Sequence, residues 1–174
     1  MAGGGYAYTS GDIFFNPVLK LEDVHVDLHT VLAKYIRTFE LLGKSTRIDI
    51  TQGYLEGHWE GLLDGDFAET KRSGLSDGIV RLSMNLLGAP PLQGQDFGAY
   101  RATVVEKETI VGAGLAVQVP TGRYYEDRLI NLGGNRFVFR PQLGVVHNRG
   151  KWSTELTGSV WLYSDNGSFF GGSE

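Results

Sequence analysis

The chain has 174 residues, 41% of them apolar, with 25 glycines and 5 prolines, a composition that suits a single β-rich domain over residues 1–174 and excludes a disordered segment. A net charge of −4, with its 16 lysines and arginines scattered, leaves no basic footprint for nucleic acid, and the absence of cysteine removes disulfides, thiolate metal sites and thiol catalysis. No run approaches the roughly 18 apolar residues of a transmembrane helix, which leaves a transmembrane barrel open because its lipid-facing residues come only every second position.

The first twelve residues, MAGGGYAYTSGD, carry none of the basic, apolar and small-residue regions of a secretory signal. If the chain is exported, its true start is expected to lie upstream or to have been removed. Gly3 to Thr9 reads as the tail of a strand closed by Ser10-Gly11-Asp12, and Asp12 to Asp23, with Asn16-Pro17 and no period, reads as a loop. Val24 to Leu42 fits a helical period as well as a strand. The short turn Gly43-Lys44-Ser45, leading into the alternating Thr46–Leu55, decides for a strand.

His58 to Asp77 is polar and reads as a long loop, after which Gly78 to Leu87 alternates again. Gly88 to Ala102 reads as a Pro-Gly connection, Glu108–Val119 as a strand, and Pro120 to Gly134 as another long loop. The clearest stretch is Asn135 to Tyr163. There Phe137, Phe139, Leu143 and Val145, and after the turn Trp152, Leu156, Val160 and Leu162, alternate with polar residues. Each arm of about a dozen residues would span a ~30 Å hydrocarbon layer at a ~40° tilt. Ser164 onward reads as the start of a further loop.

Seven strands result, with long connections expected after alternate ones. The fold class is all-β, an antiparallel up-and-down transmembrane β-barrel, here a partial barrel of about seven strands forming the amino-terminal part of a larger one. A soluble β-barrel or β-sandwich that encloses a ligand remains the alternative, since alternation does not say which face is outside.

The literal G-x-S-x-G at Gly74–Gly78 lacks the strand before it and the helix after it that a nucleophile elbow needs, so Ser76 reads as a turn residue. His25 and His29 on a strand stand about 13 Å apart, too far to share an ion. Asp64-Gly65-Asp66, with Glu56 and Glu60, matches no calcium-loop spacing and reads as a solvated acidic loop. Gly112-Ala113-Gly114 reads as small residues facing a barrel interior. No catalytic residue, metal or cofactor is assigned.

The polar-face set Arg47, Asp49, Arg81, Arg136, Arg140, Gln142 and Glu155 recurs at matching depth in several strands. These residues are candidate pore-lining groups, and a salt-bridged structural filling is the equal alternative. Tyr6, Tyr8, Tyr54, Trp59, Trp152, Trp161 and Tyr163 fall toward strand ends, as interfacial girdles do.

In LINLGGNRFVFRPQLGVVHNRGKWSTELTGSVWLYSDN, LLGKSTRIDITQGYLEGHWEGLLDG and RLSMNLLGAPPL the chain resembles, over nearly its whole length, the meta-pathway (MetA-pathway) phenol-degradation family. The resemblance implies an outer-membrane β-barrel of Gram-negative bacteria that contacts membrane lipid and passes small organic, aromatic or hydrophobic molecules. It transfers no catalytic motif. Against the family pattern the chain lacks a signal peptide, the start of the first strand and the carboxy-terminal strands ending in an aromatic residue.

Overall fold

The computed structural model describes residues 1–16, 21–63, 65–88 and 107–169, with side chains for all of these except 13–16 and 21. Nine strands run in chain order: β1 Ala2–Asn16, β2 Leu21–Leu41, β3 Lys44–Leu63, β4 Asp66–Leu75, β5 Gly78–Leu87, β6 Lys107–Val119, β7 Val138–Arg149, β8 Trp152–Ser159 and β9 Leu162–Tyr163. They form one antiparallel sheet in the order β1-β2-β3-β5-β6-β7-β8, with β4 paired to β3 and β9 to β7. The sheet has seven staves, because β4 and β5 share β3 as neighbour and β8 and β9 share β7. Among the described residues it does not close, and β1 and β8 are its edges.

The ambiguous Val24–Leu42 segment is a strand for the reason the sequence suggests: a tight turn fixes it against its neighbour. Leu42 and Gly43 both take positive φ, at 54° and 69°, which is the two-residue hairpin geometry that follows the strand twist. From this turn β2 and β3 stay in register from Leu41↔Lys44 to His25↔Glu60.

Two expected loops are strands instead. Ser10-Gly11-Asp12 does not end β1, which pairs with β2 as far as Asn16, so within the expected Asp12–Asp23 loop residues 12–16 belong to β1 and 21–23 to β2, and residues 17–20 lie outside the described residues. The polar His58–Asp77 stretch is the upper half of β3 and all of β4, paired from Leu63↔Asp66 to Tyr54↔Leu75. Charged and apolar residues fall on both of its faces, His58, Glu60, Leu62, Phe67 and Glu69 outward and Trp59, Gly61, Ala68 and Arg72 inward, which blurs the pattern without breaking pairing. Of the expected acidic loop, Asp64 lies outside the described residues, and Glu56 and Glu60 belong to β3. Gly88 is a bend, and the rest of the Gly88–Ala102 connection lies outside the described residues. The Pro120–Gly134 stretch is a loop, as expected.

Register separates the two faces. Directly opposed residues point the same way, so Ile50, Val80, Val117, Phe139 and Leu162 lie on one face, and Asp49, Arg81, Ala116 and Arg140 on the other. The apolar face is the open one: Leu143 is 55% and Leu156 74% exposed, whereas Asp49 is 3% and Ala116 4% exposed. Side chains that crowd one another on one face and splay on the other belong to a sheet curled around its polar side. We call that side inward.

Candidate functional site

The inward face of the lower sheet carries a cationic cluster around one carboxylate. Asp49, on β3, accepts hydrogen bonds from Arg47 and from Arg81 on β5, the latter at 3.4 Å, and Lys34 on β2 stands 3.8 Å away. Arg140 on β7 faces the same recess as Lys34, Asp49 and Arg81. Three cations thus contact one buried acid, with Arg140 beside them, and Asp49 holds its place because a carboxylate removed from water needs charged donors on both oxygens.

The remaining polar-face candidates lie on the same face. Arg136 sits 4.9 Å above the Tyr163 ring and Arg140 5.4 Å above that of Trp161, both cation–π contacts. Gln142 lies opposite Gly114 and Ser159, and Glu155 opposite Val146 near the lower turn. The structure joins Arg47, Asp49 and Arg81 into one network, adds Arg140 beside it and leaves Glu155 away from it. Trp59, Trp161 and Tyr163 also point inward, so they do not belong to an outer girdle, whereas Tyr6, Tyr8, Tyr54 and Trp152 point outward.

Above this level the two faces exchange character. On β3 the outward series runs Ile48, Ile50, Gln52, Tyr54 and then turns to Glu56, His58 and Glu60, while the inward series turns from Arg47, Asp49 and Thr51 to Leu55, Trp59 and Leu63. On β2 the outward His29, Asp27 and His25 and the inward Leu28 and Val26 follow the same change. The outward apolar stretch from Thr46 to Tyr54 is about nine residues, or ~23 Å high at a ~40° tilt, close to the ~25 Å apolar band of outer-membrane barrels.

The Pro120–Gly134 loop folds over the inward side of the upper sheet and is tied there. Asp77, between β4 and β5, accepts the amides of Gly122 at 2.9 Å and Gly134 at 2.8 Å and the Gln118 side chain at 2.9 Å. Arg123 donates its amide to the Leu75 carbonyl and its guanidinium to that of Ser73, and Arg72 Nε reaches the Ile130 carbonyl at 3.4 Å. From the far side Asn166, 1% exposed, donates to Tyr124 Oη and the Gly134 carbonyl and accepts from Asn135 and the Ser168 amide. Between the loop and the wall lies a pocket of about 440 Å³, lined by Val24, Trp59, Leu63, Thr70, Arg72 and Ile130 among others.

Ser76 of the G-x-S-x-G stretch donates its hydroxyl to the Gly53 carbonyl at 3.3 Å, a strand-joining role. His25 bonds Asp12, and His29 bonds Tyr6. Among the described residues His58, Glu60 and Glu69 have ligand-type atoms within 4.8 Å of one another on the outward face. Strand pairing, with Glu60 directly opposite Glu69 and His58 two residues along the same face, accounts for that closeness, and His58 Nε2 stands 3.6 Å from Glu69. A loop over His58–Asp77 would not bring this group together, nor give Asp77 and Trp59 fixed places; the alternating Glu56-Gly57-His58-Trp59-Glu60-Gly61 is the sequence signal that points to them.

A family model described as "Putative MetA-pathway of phenol degradation" matches residues 4–170. No curated protein and no solved structure matches the chain.

Proposed function

This chain belongs to that phenol-degradation family, and on that premise we propose that it forms the wall of an outer-membrane β-barrel that passes small organic molecules, aromatic or hydrophobic ones among them, without chemical change. One observation carries the reading: within the band apolar side chains on seven staves face outward and stay open, Arg37 opposite Ile48 being a charged exception, while Lys34, Arg47, Asp49, Arg81 and Arg140 face inward and gather together. A contiguous apolar surface of this extent is not left to water, and the polar concave face is what an aqueous lumen requires. The soluble alternative needs the apolar face inside, which is the opposite curl.

In this reading the band from Thr46 to Tyr54 sits in hydrocarbon, and β1 and β8 both have paired edges in the membrane, since unpaired backbone groups are not tolerated there. The cluster of Lys34, Arg47, Arg81 and Arg140 around Asp49 lines the lumen and favours anions and oxygen-rich solutes over cations. In this reading Ser76, whose hydroxyl meets the Gly53 carbonyl, serves to join strands.

The test uses Leu143→Trp and Gln142→Trp, each in a chain whose other tryptophans are phenylalanine, and measures quenching by lipids with brominated acyl chains. Quenching in the Leu143→Trp chain and little in the Gln142→Trp chain is expected. Equal or reversed quenching, or a chain that stays out of the membrane fraction, overturns the reading.

A further inference from the structure

On β2 and β3 the inward face loses its charged side chains above the apolar band. Above it the same face presents Val24, Leu28, Leu55 and Trp59, and the loop turns Leu129 and Ile130 toward them. Val24 is 4% exposed, and the Trp59 ring lies over Gly57, where an added Cβ would come within 2.2 Å of it. An apolar wall facing an otherwise aqueous cavity is unfavourable unless something covers it, and the loop covers it incompletely, leaving the 440 Å³ pocket. That volume falls within the usual ~300–1,000 Å³ of small-molecule sites.

The pocket is also built. Its loop side is fixed by Asp77 and Asn166 and its wall side by continuous strand pairing, so its shape does not depend on a ligand's arrival. Its polar lining comprises Glu60, Glu69, Thr70, Arg72, Asp127 and Arg128; register turns the Glu60 and Glu69 side chains outward, while on β4 the Thr70 hydroxyl and the Arg72 guanidinium are on the inward register, with Arg72 Nε serving the Ile130 carbonyl and Nη1 the Lys71 carbonyl. Arg128, the second cation of the lining, is engaged by Asp127 and by the Tyr125 ring, which leaves Arg72 as the donor at the margin of the recess, and this suits a ligand with a single oxygen at the end of a flat hydrocarbon body.

We propose that this pocket, between Trp59 and Ile130 and above the charged lumen, is a capture site for a small, flat, apolar molecule bearing one hydroxyl or carbonyl oxygen, which it takes up before the molecule enters the lumen. The ring lies against Trp59 and the oxygen meets Arg72 and Thr70. Treating the bound molecule as a permeant rests on the pore reading; the binding itself does not.

The probe is 4-nitrobenzyl alcohol, an uncharged ring with one hydroxyl and a nitro group that quenches indole emission, titrated into the full chain in lipid nanodiscs with Trp152→Phe and Trp161→Phe. Saturable quenching of Trp59 is expected, with calorimetry on the chain with all its tryptophans giving the same dissociation constant. Ile130→Glu, which puts a charge into the apolar recess, should weaken binding about tenfold or more. Arg72→Met should erase the preference for the alcohol over 4-nitrotoluene, read as the ratio of their dissociation constants in the same variant. Quenching that rises linearly without saturation, calorimetry without a binding isotherm, or indifference to Ile130→Glu overturns the proposal. If binding is absent while the Leu143→Trp chain is quenched by brominated lipid, the pocket fails and the pore stands; saturable binding without lipid quenching upholds the pocket and removes the pore.

Discussion

The carboxylate of Asp77 accepts the amide of Gly134, 57 residues further along the chain, at 2.8 Å, while its other oxygen takes the amide of Gly122 at 2.9 Å. One side chain therefore holds both ends of the loop against the break between β4 and β5. Two charge-assisted bonds to backbone donors contribute about 2–3 kcal/mol together against local opening once solvent competition is allowed for. Asp77→Ala should release the loop and raise tryptic cleavage at Arg123 and Arg128 by roughly 30- to 150-fold where opening is in fast equilibrium. Asp77→Asn keeps one acceptor and should fall between. Unchanged cleavage would mean that Asn166 and Arg123 hold the loop alone.

On the proposed pore reading, the charge gathered about Asp49 should be readable as ion preference. With Lys34, Arg47, Arg81 and Arg140 gathered about Asp49, planar-bilayer recordings in a salt gradient should give a reversal potential on the anion side. Arg81→Glu with Arg140→Glu should invert it. Asp49→Asn should strengthen anion preference but lower stability by about 1–3 kcal/mol, because the guanidinium groups lose the acid between them. Insensitivity of the potential to all three changes would leave the cluster a structural filling.

Trp59 rests on Gly57, and the space above that Cα is already taken: an added methyl would meet the ring at 2.2 Å and the Leu28 side chain at 2.8 Å. Gly57→Ala should displace the indole, lower stability by about 1–3 kcal/mol and shift Trp59 emission to the red as it gains water. Gly158→Ala is the control, since nothing stands within 4 Å of its Cβ position, and it should leave melting and emission unchanged. Equal behaviour of the two variants would show that the ring does not occupy that position.

Legibility in the sequence follows the contrast between the two faces. Where Phe139, Leu143 and Leu156 alternate with Arg140, Gln142 and Glu155, strand and face are both readable, because lipid-level patterning makes the contrast large. It fails at His58–Asp77, where Glu56, His58 and Glu60 face out and Gly57, Trp59 and Gly61 face in, so polarity suggests a loop although pairing continues to Leu63↔Asp66. The lumen residues can be picked out individually, yet the convergence of Arg47 and Arg81 on a buried Asp49 depends on strand register. Asp77 looks like one more turn residue, since its partners lie 41 to 57 residues away and no local pattern announces them.

Above the apolar band of β1 and β2, His25 sits between Asp12, 2.6 Å from its Nδ1, and Asp27, 3.5 Å from its Nε2, with Ser10 beside it and Glu60 opposite on β3. The Asp12 hydrogen bond holds the His25 imidazolium above its ordinary range, helped by the charges of Asp12, Asp27 and Glu60 against some desolvation. The Tyr8 hydroxyl, then Ser10 and the charge of His25, hold Asp27 below the ordinary carboxylate range. The signs oppose. His25, raised, adds stability that is whole below its unfolded value of about 6.5 and fades as pH rises through the folded value, while Asp27, lowered, adds stability above its unfolded value of about 3.8 that fades as pH falls through its folded one. The β1–β2 edge should therefore be best protected between these limits, and amide exchange of Tyr8–Asp12, corrected for intrinsic rate, should accelerate as pH rises from 6 toward 8. Asp12→Asn should bring the His25 titration, followed by NMR, back toward its ordinary value and flatten that acceleration. A His25 titration unmoved by the substitution would show that Asp12 does not bond it in solution.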